Sequence, residues 1–183
     1  MQYLTNMIVS KTKGLSELLV VFGGVALLFA ASQVEIPLHP VPITLQTVAV
    51  MLIGLTFTPR KALESHLIWL GLAGVGLPVL SGFDGGIVHL TGPTAGYLVG
   101  FAVSAYLMAS LKEKYALNTF IFDALLCLMG TIIVFTCGVI WLSQLIGFQG
   151  AIVNGVIPFI LPGFVKAGIL CSALQIYRHF RKG

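Results

Sequence analysis

Apolar positions in this chain come in long, nearly unbroken runs, not in the alternating or one-faced stripes of a water-soluble protein. Six runs stand out, at about 15–32, 43–57, 62–77, 94–111, 119–142 and 152–177. Short stretches rich in Gly, Pro, Lys and Arg separate them. At about 1.5 Å of rise per residue, an 18-residue helix covers about 27 Å, close to the ~30 Å hydrocarbon thickness of a bilayer. The pattern predicts an all-α integral membrane protein, a bundle of six transmembrane helices forming one domain over residues 1–183. The second and third runs are short, so they are expected to pack against protein or to extend into their polar flanks.

Charge placement adds an orientation. Lys11 and Lys13 precede the first run, Arg60 and Lys61 separate the second from the third, and Lys112 and Lys114 separate the fourth from the fifth. Arg178, Arg181 and Lys182 follow the sixth. With six spans all of these cations fall on one side, and the opposite loops, 33–42, 79–93 and 143–151, contain no Lys or Arg. The positive-inside rule therefore predicts cytoplasmic termini and an external glycine-rich loop after the third run. Lys11 and Lys13 before an apolar run ending Ala30-Ala31-Ser32 imitate a signal peptide, but the run exceeds the roughly 7–15 residues of an h-region and is read as an uncleaved span.

Composition agrees with this reading: 57% of the 183 residues are hydrophobic and only 9% are charged, against about 25% in soluble domains. The net charge of +4 comes from scattered topology charges and does not mark a nucleic-acid face. Cys127, Cys137 and Cys171 lie inside apolar runs with no CxxC, as small core residues do. No metal-binding cluster or cofactor is expected. The chain lacks H-E-x-x-H, G-x-S-x-G and paired intramembrane carboxylates, which argues against an enzyme. It also lacks G-x-x-x-x-G-K-[ST], so active transport would need partners that hydrolyse ATP.

Candidate chemistry gathers around residues 71–101, where two apolar runs flank a loop dense in glycine that holds Asp84 and His89. Such a loop can fold tightly over a small guest at one membrane face. The stiff Glu35–Pro42 loop is either a second lid or a plain connector. Thr44 and Gln46 stand at the outer end of the second run, and a buried Gln amide needs a neighbouring helix or a ligand as partner. Thr94 opens the fourth run after Pro93, and Tyr97 beside it can stack and donate a hydrogen bond. Trp141 and Gln144 resemble interfacial anchors, Asn154 begins the last run, and Glu64, His66 and Asp123 are expected to be solvated, locally paired or capping near the inner face. Lys166 is the one cation outside the inner loops. A lysine near the bilayer centre costs about 2.5–3.5 kcal/mol on insertion scales, so it must face a partner or a cavity. It either pairs with a distant acid such as Asp84 or receives an anionic ligand. Pro162-Gly163 is expected to break the helix just before it.

Val41-Pro42-Ile43-Thr44-Leu45-Gln46-Thr47, Gly71-Leu72-Ala73-Gly74-Val75-Gly76-Leu77-Pro78-Val79, Gly92-Pro93-Thr94-Ala95-Gly96-Tyr97-Leu98-Val99-Gly100-Phe101 and the segment from Pro158 to Lys166 occur in one order. Together they resemble the BioY family, the biotin-binding S-components of energy-coupling-factor (ECF) transporters. The resemblance implies six helices of ECF S-component type, a site near the outer face beneath the first and third loops, and high-affinity biotin uptake across the bacterial cytoplasmic membrane. Biotin would be the transported ligand. Lys166 would meet its carboxylate or ureido oxygen, Gln46 and Tyr97 would supply neutral hydrogen bonds, and Trp69 or Phe83 would cover its apolar part. Ala26 and Ala30 match the family's A-x-x-x-A, which meets the transmembrane coupling protein that works with two ATPases. Other outcomes are an S-component for another small vitamin, or a solitary biotin carrier without a dedicated energising module. One position departs from the family: its P-G-D-x-x-K would place an aspartate where Gly163 stands. Asp84 or a polar group such as Asn154 is then expected to take that place, or affinity differs.

Overall fold

The computed structural model describes the backbone of residues 2–181 and the side chains of residues 14–181. The side chains of Lys11 and Lys13, and the whole of Lys182, lie outside the described residues. Helices α1 (Gln2–Ser32), α2 (Gln46–Thr56), α3 (Pro59–Gly74), α5 (Ala95–Tyr115), α6 (Phe120–Gly155) and α7 (Ile157–Phe180) lie under the six apolar runs. A four-residue helix, α4 (Ile87–Leu90), sits in the glycine-rich loop after a 3-10 turn at Ser81–Phe83. Four helical segments are long and apolar enough to cross a membrane: Gly14–Ser32, Ala95–Tyr115, Phe120–Gly155 and Ile157–Phe180.

The short α2 follows a simple logic. Its 11 residues rise about 16 Å, well below a bilayer's hydrocarbon thickness. It is buried along much of its length, including Gln46, Val50, Met51 and Ile53, and it packs on α5, α1 and α7. Just before it, β1 (Glu35–Ile36) and β2 (Ile43–Thr44) form a small antiparallel ladder pairing Glu35 with Thr44. This clip closes the proline-rich loop on itself, and the His39–Pro40 peptide within it is cis.

The centre of the bundle is α5, which packs on α6, α2 and α3. Its approach to α6 depends on missing side chains: a Cβ at Gly96 would strike the Cys137 carbonyl, and one at Gly100 would come within 2.9 Å of the Val134 Cα. Small residues let membrane helices meet this closely. In return Gly138 of α6 makes room for the Tyr97 ring.

Three expectations are corrected. The last span does not begin at Ile152 and does not break at Pro162-Gly163. Instead α6 breaks at Gly147 (φ 76°, ψ 160°), a backbone conformation that glycine adopts without Cβ strain. The segment after it folds back until the Tyr97 hydroxyl donates to the Gly155 carbonyl at 2.9 Å. Helix α7 starts at Ile157 and runs on through Pro162.

His66 is not solvated, though one of its ring nitrogens is paired locally. It is fully buried, its Nδ1 lies 2.7 Å from the Ala62 carbonyl oxygen, and its Nε2 has no partner among the described residues. Asp123 does not cap α6, since the Thr119 side chain accepts from the Phe122 N–H there. Asp123 is fully buried and accepts from Lys112 of α5 at 2.6 Å and from Arg178 of α7. A buried carboxylate is tolerable only when paired in this way, and here it ties three helix ends together. Glu64 behaves as expected, 2.7 Å from Arg60 on the helix surface.

Candidate functional site

Helical spacing aims four elements at one point. Phe159, Gly163 and Lys166 repeat at i, i+4 and i+7 along α7, and Tyr97, Phe101, Ser104 and Met108 repeat in the same way along α5. Thr47, Val50 and Met51 come from α2, and Thr131, Val134 and Phe135 from α6. These residues line a single mostly apolar cavity, roofed by Val41 and Pro42 of the clip and by Leu80 and Ser81 of the glycine-rich loop.

Lys166 is the cation in that cavity. The residue lies tenth in α7, about 13 Å of rise from the helix start. Its Nζ donates to the Thr44 carbonyl at 2.7 Å and stands 3.5 Å from the Thr47 Oγ1. Among the described residues no carboxylate pairs with it. The neighbours that hold the ammonium are therefore neutral acceptors, and its charge is not cancelled by the chain.

Thr44 and Gln46 form a clamp beneath the roof. The Thr44 hydroxyl donates to the Gln46 Oε1 at 3.0 Å and accepts from the Gln46 N–H at 3.2 Å. Both residues are buried and line the cavity, as Thr94 and Tyr97 also do. Tyr97 is less available than expected, because its hydroxyl already donates to Gly155.

Four sequence-derived candidates lie elsewhere. Asp84 is half-exposed, and its Oδ2 lies 3.2 Å from the Nδ1 of His89, so it neither lines the cavity nor reaches Lys166. Asn154 is exposed and donates to the Gly150 carbonyl of its own helix at 2.9 Å. Trp69 is fully buried beneath the roof, where its indole N–H donates to the Val79 carbonyl at 2.9 Å. Phe83 is exposed and meets Phe29 edge-on with ring centroids 6.4 Å apart.

Trp69 nevertheless belongs to the site's support. Ser32 donates to the same Val79 carbonyl at 2.9 Å, and Gln33 donates to the Leu80 carbonyl at 2.9 Å while accepting from the Phe83 N–H at 3.1 Å. These bonds fasten the glycine-rich loop to the C-terminal ends of α1 and α3. Close backbone packing there requires glycine: a Cβ on Gly85 would strike the Leu77 carbonyl. Thr47, Ser81, Ser104 and Thr131 were missed by sequence reasoning. For Ser104 the signal is helical register, since it stands two turns from Tyr97 along α5.

The cavity is narrow, with a free volume of ≈ 80 Å³. Small-molecule sites span about 300–1,000 Å³, so a vitamin-sized guest requires the roof or the walls to yield. On the outside of the bundle, Ala26 and Ala30 lie exposed on α1, while Gly24 faces inward against Ser65.

Comparison with known proteins places these features in a wider set. The model of the BioY family matches residues 5–182. A probable biotin transporter BioY from Pyrococcus horikoshii is 38% identical over 154 residues, covering 82% of this chain and 91% of its own. Another from Rickettsia prowazekii is 35% identical over 159 residues, covering 87% and 81%. Among solved structures, the S-component for biotin from an ECF-type ABC transporter superposes with a TM-score of 0.75 at 28% identity, covering 93% of each chain.

Proposed function

The chain belongs to the BioY family, and from that premise we propose that it is the biotin-binding S-component of an ECF-type transporter, taking up biotin across the cytoplasmic membrane. The observation that carries this reading is Lys166, an ammonium held among neutral oxygens in a mostly apolar cavity. Such a cavity suits a guest with an apolar body and one strongly accepting or anionic end. Biotin has an apolar ring and chain, a carboxylate and a ureido oxygen. Lys166 takes one of those acceptors, Thr44, Gln46 and Thr94 offer neutral polar contacts, and the aromatic walls cover the hydrocarbon.

In this reading the chain crosses the membrane six times, the short α2 together with the segment before it, with both termini cytoplasmic and the roof outside. Charge alternation supports that orientation. The exposed small face at Ala26 and Ala30 meets the coupling protein, which works with two ATPases. Biotin titration of the purified protein, with desthiobiotin and other vitamins as competitors, tests the assignment. Saturable binding displaced by desthiobiotin alone supports it, and stronger displacement by an unrelated vitamin reassigns the substrate. Ala26→Trp is expected to leave binding intact and to reduce uptake in cells carrying an energising module at least tenfold. Normal uptake by that variant would remove α1 as the docking face.

A further inference from the structure

We propose a lipid site on the outer surface of α6 and α7, where one acyl chain of an anionic phospholipid lies in a groove and its phosphate rests on the basic cluster at the groove's end. The groove has a free volume of ≈ 630 Å³ and is lined almost wholly by apolar side chains, among them Phe120, Ile121, Leu128 and Phe164. Gly163 and Gly168 form part of its floor, where an added Cβ would meet nothing within 4 Å.

The location selects the occupant. Helices α6 and α7 carry strongly apolar windows, with mean hydropathy 2.4 and 1.8, and only 33% and 11% of those windows are buried. Their outer face therefore meets hydrocarbon. Helix α1 packs chiefly on α2 and α3, so the groove stays open to the bilayer when the Ala26 face is engaged.

Charge at one end then favours an anionic headgroup. Phe120 and Ile121 lie within one helical turn of Asp123, which is held by Lys112 and Arg178. One buried carboxylate thus stands against two cations. Lys114 and Arg181 are exposed on the ends of the same helices, with Glu113 the one exposed acid beside them. The excess is positive, and basic clusters at helix ends beside a groove are how membrane proteins hold anionic headgroups. The groove shares Thr131, Phe135 and Gly163 with the Lys166 cavity, so a bound chain props that cavity's wall from behind.

The test uses the full chain in detergent with lipids brominated in the acyl chain, which quench tryptophan on contact. Phe164→Trp places a reporter in the groove, and the unsubstituted protein supplies the background from Trp69 and Trp141. The excess quenching is expected to saturate at low mole fraction of brominated phosphatidylglycerol, and to need at least threefold more brominated phosphatidylcholine. Adding Gly168→Phe should abolish the saturable part, and Lys114→Gln with Arg181→Gln should erase the preference for phosphatidylglycerol. Quenching that rises in proportion to brominated lipid, equal for both headgroups and indifferent to Gly168→Phe, overturns the site. So does light scattering that shows a dimer shielding the reporter from lipid. Neither readout involves biotin, so this site and the transport assignment fail separately.

Discussion

Lys112 and Lys166 are both ammonium groups set among helices, and their surroundings differ in one respect. Lys112 meets Asp123 at 2.6 Å, and the same carboxylate also takes Arg178, so each of these cations has a carboxylate partner within the chain. Among the described residues Lys166 meets only the Thr44 carbonyl and the Thr47 hydroxyl. The first arrangement is closed and holds α5, α6 and α7 together. The second is open and leaves charge facing a cavity. The difference teaches that a buried ion with its counter-ion is architecture, whereas one lacking it is a place for a guest.

Removing each group breaks the comparison in a different way. Asp123→Ala leaves Lys112 and Arg178 without their carboxylate, and breaking a buried pair by deleting one partner costs about 3–5 kcal/mol. The account expects a large fall in thermal stability in detergent, with biotin affinity of the folded fraction unchanged. A variant as stable as the parent would show that this cluster is not structural. Lys166→Met relieves a lysine whose insertion costs about 2.5–3.5 kcal/mol, but it orphans the Thr44 carbonyl at about 1–3 kcal/mol. The two oppose each other, so apo stability should move much less than for Asp123→Ala. A loss as large as that of Asp123→Ala would make Lys166 a structural residue as well. Asp84→Asn touches only an exposed pair, worth about 0.2–1 kcal/mol. It should leave both melting temperature and biotin affinity within error, and a clear loss of affinity would return Asp84 to the site.

What could be read from the sequence follows from range. The six helices come from contiguous apolar runs, and the cavity's Lys166, Thr44 and Gln46 announced themselves as polar groups where lipid or protein interior must lie. Ser104 shares the register of Tyr97 along α5 and was legible in principle. Asp123 was not, because its partners stand 11 and 55 positions away and meet only when helix ends converge. Trp69 was read as a ligand cover because a large aromatic beside a pocket suits that role. Its partner is instead the Val79 carbonyl of a folded-back loop, which periodicity does not encode. The helix break was expected at Pro162, where a donor is missing, yet the chain breaks at Gly147 and α7 absorbs the proline. Proline forbids one hydrogen bond, while glycine permits a reversal, and only packing decides which of the two is used.

The most direct measurement is calorimetric titration of biotin into the unsubstituted protein and into Lys166→Met under the same detergent and salt. A hydrogen bond to a charged group contributes about 1.5–3 kcal/mol, so the dissociation constant should rise roughly 10- to 150-fold with the fold retained. Equal dissociation constants for the two proteins would contradict the claim that the unpaired ammonium in the cavity recognises the guest.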